Sequence, residues 1–133
     1  MTHDETMDGL ARRIAELKPD WALPGMAARD PETGAVFRRA DSASMLWRMD
    51  NDAALALSVF EYLEALPRAI ASGPNWRVPV TALGLLALLP DGEICRGMHF
   101  AGTWICQSME HRQWADNREE AILRGVVAYL EAK

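Results

Sequence analysis

Four residues late in this chain could bind a metal or attack an electrophile: Cys95, His99, Cys106 and His111. Their spacing, Cys-x3-His-x6-Cys-x4-His, offers the thiolate and imidazole ligands that zinc takes in tetrahedral sites. If the strands flanking Ala101-Gly102 pair tightly about that turn, Cys95, His99 and Cys106 share one face, whereas His111 lies beyond the strand. Zinc sites usually draw on closer ligand pairs, and buried structural thiols account for the cysteines equally well. No bound metal and no cofactor are therefore expected. A Cys–His nucleophilic pair would need a thiol of lowered pKa, yet no helix start directly follows either cysteine. Gly97 to Thr103 has the glycine spacing of a phosphate loop but carries Thr103 where that loop has lysine. Neither His-Glu-x-x-His nor Gly-x-Ser-x-Gly occurs. Asp50, Asp52, Asp116, Glu119 and Glu120 stand at expected helix starts, where they complement the macrodipole. No catalytic residue is singled out, and a non-enzyme is the expectation.

The elements that must position these residues follow from periodicity. Asp4 to Leu17 repeats Met7, Leu10, Ala11, Ile14 and Leu17 at helical spacing, and Lys18-Pro19 ends it. Asp30-Pro31-Glu32-Thr33-Gly34 has turn chemistry and predicts a loose hairpin or ordered loop. Asp50-Asn51-Asp52 offers N-caps for a helix to Leu66. That helix has one face of Ala53, Ala56, Leu57, Phe60 and Leu63 and a second of Leu55, Val59, Tyr62 and Leu66. A helix so apolar should be buried nearly all round, which makes Leu57 and Phe60 core candidates. Trp76 to Thr81 alternates like a strand, while Leu83 to Leu89 is undecided between strand and short helix. Glu93 to Phe100 and Thr103 to Met109 read as strands whose two faces are both apolar enough to be covered. Asp116, with Glu119 three residues on, predicts a capped helix to Ala132 with Ile122, Leu123, Val126, Val127 and Leu130 buried. The order predicts an α+β fold, a short, mainly antiparallel sheet sandwiched by helices, in one domain over residues 1–133.

Composition bounds the function classes. The 133 residues are 50% hydrophobic and carry a net charge of −5. One domain of this size can bury a core without staples. The acidity argues against nucleic-acid phosphate as the partner. Two cysteines are too few for a disulfide scaffold. The acidic start lacks a signal core, and the longest apolar run, Ala82 to Leu89, is too short to span a bilayer. A cytoplasmic protein is expected. Lysine occurs only at Lys18 and Lys133 among many arginines and alanines, which suggests a GC-rich bacterial or phage genome.

A binding surface is expected in the punctuated stretch Asp20 to Asp41, because long ordered loops on a rigid scaffold commonly carry binding. It holds Trp21, Arg29, Phe37, Arg38 and Arg39, with Trp47 beside it. Aromatic and Arg residues are enriched at binding hot spots. The rival reading is that Trp21 and Phe37 only pin this loop to the core.

Several short patterns resemble the phage ABA sandwich family, small phage and prophage proteins of unassigned function. They are Lys18-Pro19-Asp20-Trp21, Asp30-Pro31-Glu32-Thr33-Gly34, Trp47, Asp50-Asn51-Asp52-Ala53-Ala54, Trp76, Trp104, and Ala115-Asp116 ahead of Glu120-Ala121-Ile122. The resemblance implies a phage origin and a layered fold, and it carries no catalytic residues. The leading expectation is a non-enzymatic accessory protein that binds another protein, such as an anti-CRISPR inhibitor of bacterial defence. One alternative is a small-ligand binding domain or small enzyme using the Cys95/His99/Cys106 face. Another is an oligomeric structural protein, a homodimer included.

Overall fold

A computed structural model of the chain describes residues 2–40, 47–49, 58, 60–96, 103–108 and 111–133. The architecture is α+β, as the element order predicts. The described strands form two antiparallel three-stranded sheets.

Helix α1 (His3–Leu17) starts at Thr2, whose hydroxyl accepts the Glu5 N–H at 3.1 Å. Its stripe of Met7, Ala11, Ile14 and Ala15 is buried. The turn chemistry around Pro31 produces a true hairpin. Strand β1 (Ala27–Arg29) pairs with β2 (Val36–Arg39), Ala28 opposite Phe37, and β2 pairs with β3 (Trp47–Met49). Asp30 organises the turn by accepting the Glu32 N–H at 3.1 Å and the Thr33 hydroxyl at 2.7 Å.

The helix expected from Asp52 begins later among the described residues. Ser58 and Glu61 cap each other reciprocally, at 2.9 and 3.1 Å, so the operative signal is Ser-x-x-Glu. Asp50, Asn51, Asp52 and Leu57 lie outside the described residues. A π-helical turn (Glu61–Ala65) then leads into α2 (Leu66–Ala71), with Pro67 in its first turn. In a regular α-helix the Pro67 ring would strike the carbonyl four residues back, and the wider turn ahead of it avoids that clash. Ala65, Leu66 and Ala69 are buried, whereas Phe60 and Leu63 are 53% and 64% exposed. The expectation that Phe60 is core is corrected: the buried side of this helix is the one that carries Ala65, Leu66 and Ala69.

Trp76–Thr81 is not a strand. Val78 closes a turn, Pro79 opens α3 (Pro79–Gly84), and a 3-10 turn (Leu85–Leu88) continues it. Proline suits the first helical position, where its missing N–H is not needed. This segment still supports the first sheet. The buried Thr81 hydroxyl accepts the Ala27 N–H at 2.9 Å, and Pro74 makes a bridge to Ala28.

The second sheet comprises β4 (Glu93–Arg96), β5 (Trp104–Ser108) and β6 (His111–Ala115). Ile94 sits opposite Cys106 and Cys95 opposite Ile105. Helix α4 (Arg118–Glu131) packs on β5 and β6 and against α1. Its cap is Asn117, which accepts the Glu120 N–H at 3.1 Å, one residue later than expected at Asp116. A Cβ on Gly125 would stand 2.7 Å from the Cys106 sulfur, so this glycine lets the helix approach the sheet. No helix among the described residues is long and apolar enough to cross a membrane.

Candidate functional site

The Cys-bearing strands do not assemble the face expected of them. A pairing sum set by the observed register differs by an odd number from the tight-turn register, and an odd slip moves every side chain of one strand to the opposite face. Cys106 therefore lies with Ile94 beneath α4, while Cys95 lies with Ile105 on the other side. Cys95 is exposed and Cys106 is 1% exposed. Burial, with Cys95 nearby as a lesser cause, pushes the Cys106 thiol up to about 11. A thiol of that kind is a poor nucleophile at neutral pH. His111 pairs with Ser108 and presents its ring edge-on to Tyr129, with centroids 6.4 Å apart. His99 lies outside the described residues. Among the described residues no three His, Cys, Asp or Glu side chains converge as a metal site would require.

The expected binding stretch gives Trp21 and Phe37 to the core. Trp21 and Phe37 are fully buried. The Trp21 indole N–H donates to the Ile70 carbonyl at 3.1 Å, and its ring meets the partly buried Trp47 edge-on at 6.4 Å. Trp21 and Phe37 pin the hairpin to the core, as the rival reading of this stretch expects. Arg38 donates to the Gly25 carbonyl at 2.6 Å, and Arg39 donates to the Ala22 carbonyl. Both arginines thus brace the turn before β1, so reversing their charge would disturb structure as well as any contact.

Arg29 is half-buried and lines a cleft. One wall of that cleft is prebuilt. Asp8 accepts the Trp76 indole N–H at 2.9 Å and the Arg77 guanidinium at 3.1 and 3.3 Å. The Arg77 guanidinium stacks over the Trp76 ring, 4.4 Å from its centroid. Desolvation alone would raise the Asp8 pKa, but the hydrogen bonds from Arg77 and Trp76 outweigh it and hold the carboxyl below its usual value. Behind β1, Asp30 is fully buried and takes a bidentate pair from Arg68 at 3.1 and 2.9 Å. Those bonds, with help from Thr33 and the Glu32 N–H, hold Asp30 well below the usual carboxylate range.

Sequence reasoning missed the exposure of Phe60 and Leu63. Val80 is 61% exposed, and Trp114, which its place just before a polar helix start marks as a surface candidate, is 49% exposed. Phe60 and Leu63 stand at the start and in the middle of the π-helical turn, and both lie more than half in water. The available signal was Ser58: a capping box with Glu61 makes Phe60 a first-turn residue. Trp114 stands on the sheet face opposite α4, the face that also carries Cys95 and Ile105. No family model, curated protein or solved structure matches the chain.

Proposed function

We propose that this chain is a non-enzymatic accessory protein that acts in the cytoplasm by binding another protein. The observation that carries this reading is the exposed surface at Phe60 and Leu63, two large apolar side chains more than half in water on a helix that buries Ala65, Leu66 and Ala69. Apolar side chains left in water on an ordered helix mark a surface available for association. The half-exposed Trp114 is the type of residue that anchors interfaces. Resemblance to the phage ABA sandwich family supports a phage origin, and an inhibitor of bacterial defence, of which anti-CRISPR proteins are examples, is the activity proposed for it. The alternative built on a shared Cys95/His99/Cys106 face loses the geometry it needed, since Cys95 and Cys106 lie on opposite sides of the sheet.

The test is capture of the partner from a phage host, followed by binding of Phe60→Asp and Leu63→Asp variants. Both sites are exposed, so folding should change by no more than about 0.5 kcal/mol. Loss of an anchor costs about 2 kcal/mol or more, which is roughly thirtyfold in affinity. Unchanged affinity in both folded variants would remove this face from the proposal. Self-association lost in the same variants would instead identify the partner as a second copy.

A further inference from the structure

Helix α4 packs on one face of the second sheet, and the strand register puts two rows of side chains on the opposite face. Cys95, Ile105 and Trp114 stand side by side across β4, β5 and β6, and Glu93, Gln107 and Arg112 form the next row. Glu93, Cys95 and Arg112 are exposed, Trp114 is half in water, and Ile105 and Gln107 are partly buried. An apolar row left in water on a regular sheet is a surface for association.

The charges on this face decide which partner fits it. Glu93 lies on one outer strand and Arg112 on the other, at the same level along the sheet. Between them the Gln107 amide donates to the Glu93 carboxylate. Consider a two-fold axis in front of this face and parallel to β5. It sets β4 of one copy over β6 of the other, so each Glu93 faces Arg112 of the second copy, twice over by symmetry. The same operation sets Cys95 over Trp114 of the second copy and Ile105 over its own counterpart. Sheets packed face to face lie about 10 Å apart and within about 30° of parallel, a gap that Glu and Arg side chains span. Opposite charges therefore meet at both edges while the apolar row closes on its own copy. The face is its own complement.

We propose that this chain forms a two-fold homodimer through the outer face of the second sheet, with Glu93 paired to Arg112 of the second copy beside an apolar layer of Cys95, Ile105 and Trp114. The pairing goes beyond the partner-binding role and uses neither Phe60 nor Leu63. Three strands about 4.8 Å apart make a face smaller than the roughly 800 Å² per copy of a standard interface. The dimer is accordingly weak, with a dissociation constant of about 10–100 μM.

Sedimentation equilibrium of the full chain, from about 5 μM to about 1 mM so as to bracket that constant, reads the monomer–dimer balance. A reversible dimer is expected. Glu93→Arg and Arg112→Glu each set like charges face to face and should weaken it by about tenfold or more. Mixed in equal amounts, the two variants regain both opposite-charge pairs, so the mixture should dimerise about as well as wild type. Both positions are exposed, so urea midpoints should stay near wild type. Cys95 should react more slowly with a thiol reagent as protein concentration rises, because Trp114 of the second copy covers it. Phe60→Asp should leave the dimer unchanged; loss of the dimer there would move the pairing to the other surface and overturn this one. A monomer at about 1 mM overturns the proposal. So does a dimer that both charge variants leave intact, or a mixture no stronger than either variant alone. A monomeric chain whose captured partner is lost on Trp114→Asp would also overturn it, and would give this face to a different protein.

Discussion

Replacing Gly73 by alanine tests the junction that holds the cleft's floor. Gly73 follows α2 with a φ of +88°, in the left-handed region. Its Cα faces α1 so closely that an added Cβ would lie 1.9 Å from the Ala11 carbonyl oxygen and 2.4 Å from its carbon. Two separate costs follow. The left-handed conformation costs a non-glycine residue about 1–2 kcal/mol. Overpacking against backbone, which cannot rotate away, adds about 1–3 kcal/mol. Together the loss is about 2–5 kcal/mol, a large share of the roughly 5–15 kcal/mol that stabilises a domain.

Two other glycines separate these costs. Gly25 has a φ of +89° but an added Cβ would meet nothing within 4 Å, so Gly25→Ala isolates the conformational term, about 1–2 kcal/mol. Gly9 lies within α1, also with open space at its Cβ, so Gly9→Ala should stabilise by about 0.5–1 kcal/mol. Urea unfolding followed by tryptophan fluorescence measures all three, provided the m-values agree. If Gly73→Ala and Gly25→Ala are equally destabilised, α2 does not press on α1 as described, and the cleft loses its floor.

The remaining predictions draw on other parts of the molecule. Phe60→Ala should cost no more than about 0.5 kcal/mol, because the ring is half in water, whereas Trp21→Ala should cost about 3–5 kcal/mol; comparable urea midpoints for the two would contradict their burial. Asp30 and Asp8 have carboxyl pKa values lowered in the folded state, so each contributes stability that is present above the ordinary value of about 3.9 and lost as pH falls toward the folded value. Stability should therefore fall below about pH 4, and Asp30→Asn should be less stable at neutral pH with a shallower acid limb; an unaltered acid limb would show that the Arg68 pair does not control it. A thiol reagent should modify Cys95 in the native protein and reach Cys106 only as fast as the protein opens, so equal labelling rates would refute the strand register.

Much of the fold was legible because its signals are local. The stripe of Met7, Ala11 and Ile14 needs no knowledge of distant residues to be read as the inner face of α1. Asp30-Pro31-Glu32-Thr33-Gly34 encodes its turn in its own side chains, and the structure shows those bonds made. The failures arose where local pattern permits two outcomes. Trp76 to Thr81 alternates as a strand does, but Pro79 can as well begin a helix as sit at a strand end, and the buried bond from Ala27 to Thr81 fixes the helical choice across 54 positions of sequence. The register of β4 and β5 depends on residues 97–102, outside the described residues, and a turn one residue longer or shorter exchanges the two faces.

The candidate site was less legible for a related reason: composition identifies which side chains can bind, but only tertiary packing decides which remain available. Trp21 and Phe37 have the chemistry of hot spots and are consumed by the core. Arg29, from the same stretch, stays half-buried at the cleft, where its charge acts on Asp8, because β1 carries it to the edge of the hairpin, beside Arg12 on α1 and Asn75 after α2. Those three residues lie far apart in sequence and form no motif. They line one cleft because Gly73 lets α2 close on Ala11 and because the Asn75 N–H donates to the Ala27 carbonyl at 2.9 Å, docking the segment on β1. The opposite outcome holds at Phe60 and Leu63. Periodicity marks them as core, yet the capping box at Ser58 places Phe60 in a first turn, and both side chains stand more than half in water. Availability, in both places, is decided by where backbone contacts begin and end, and the side chains that function must use are those the packing leaves over.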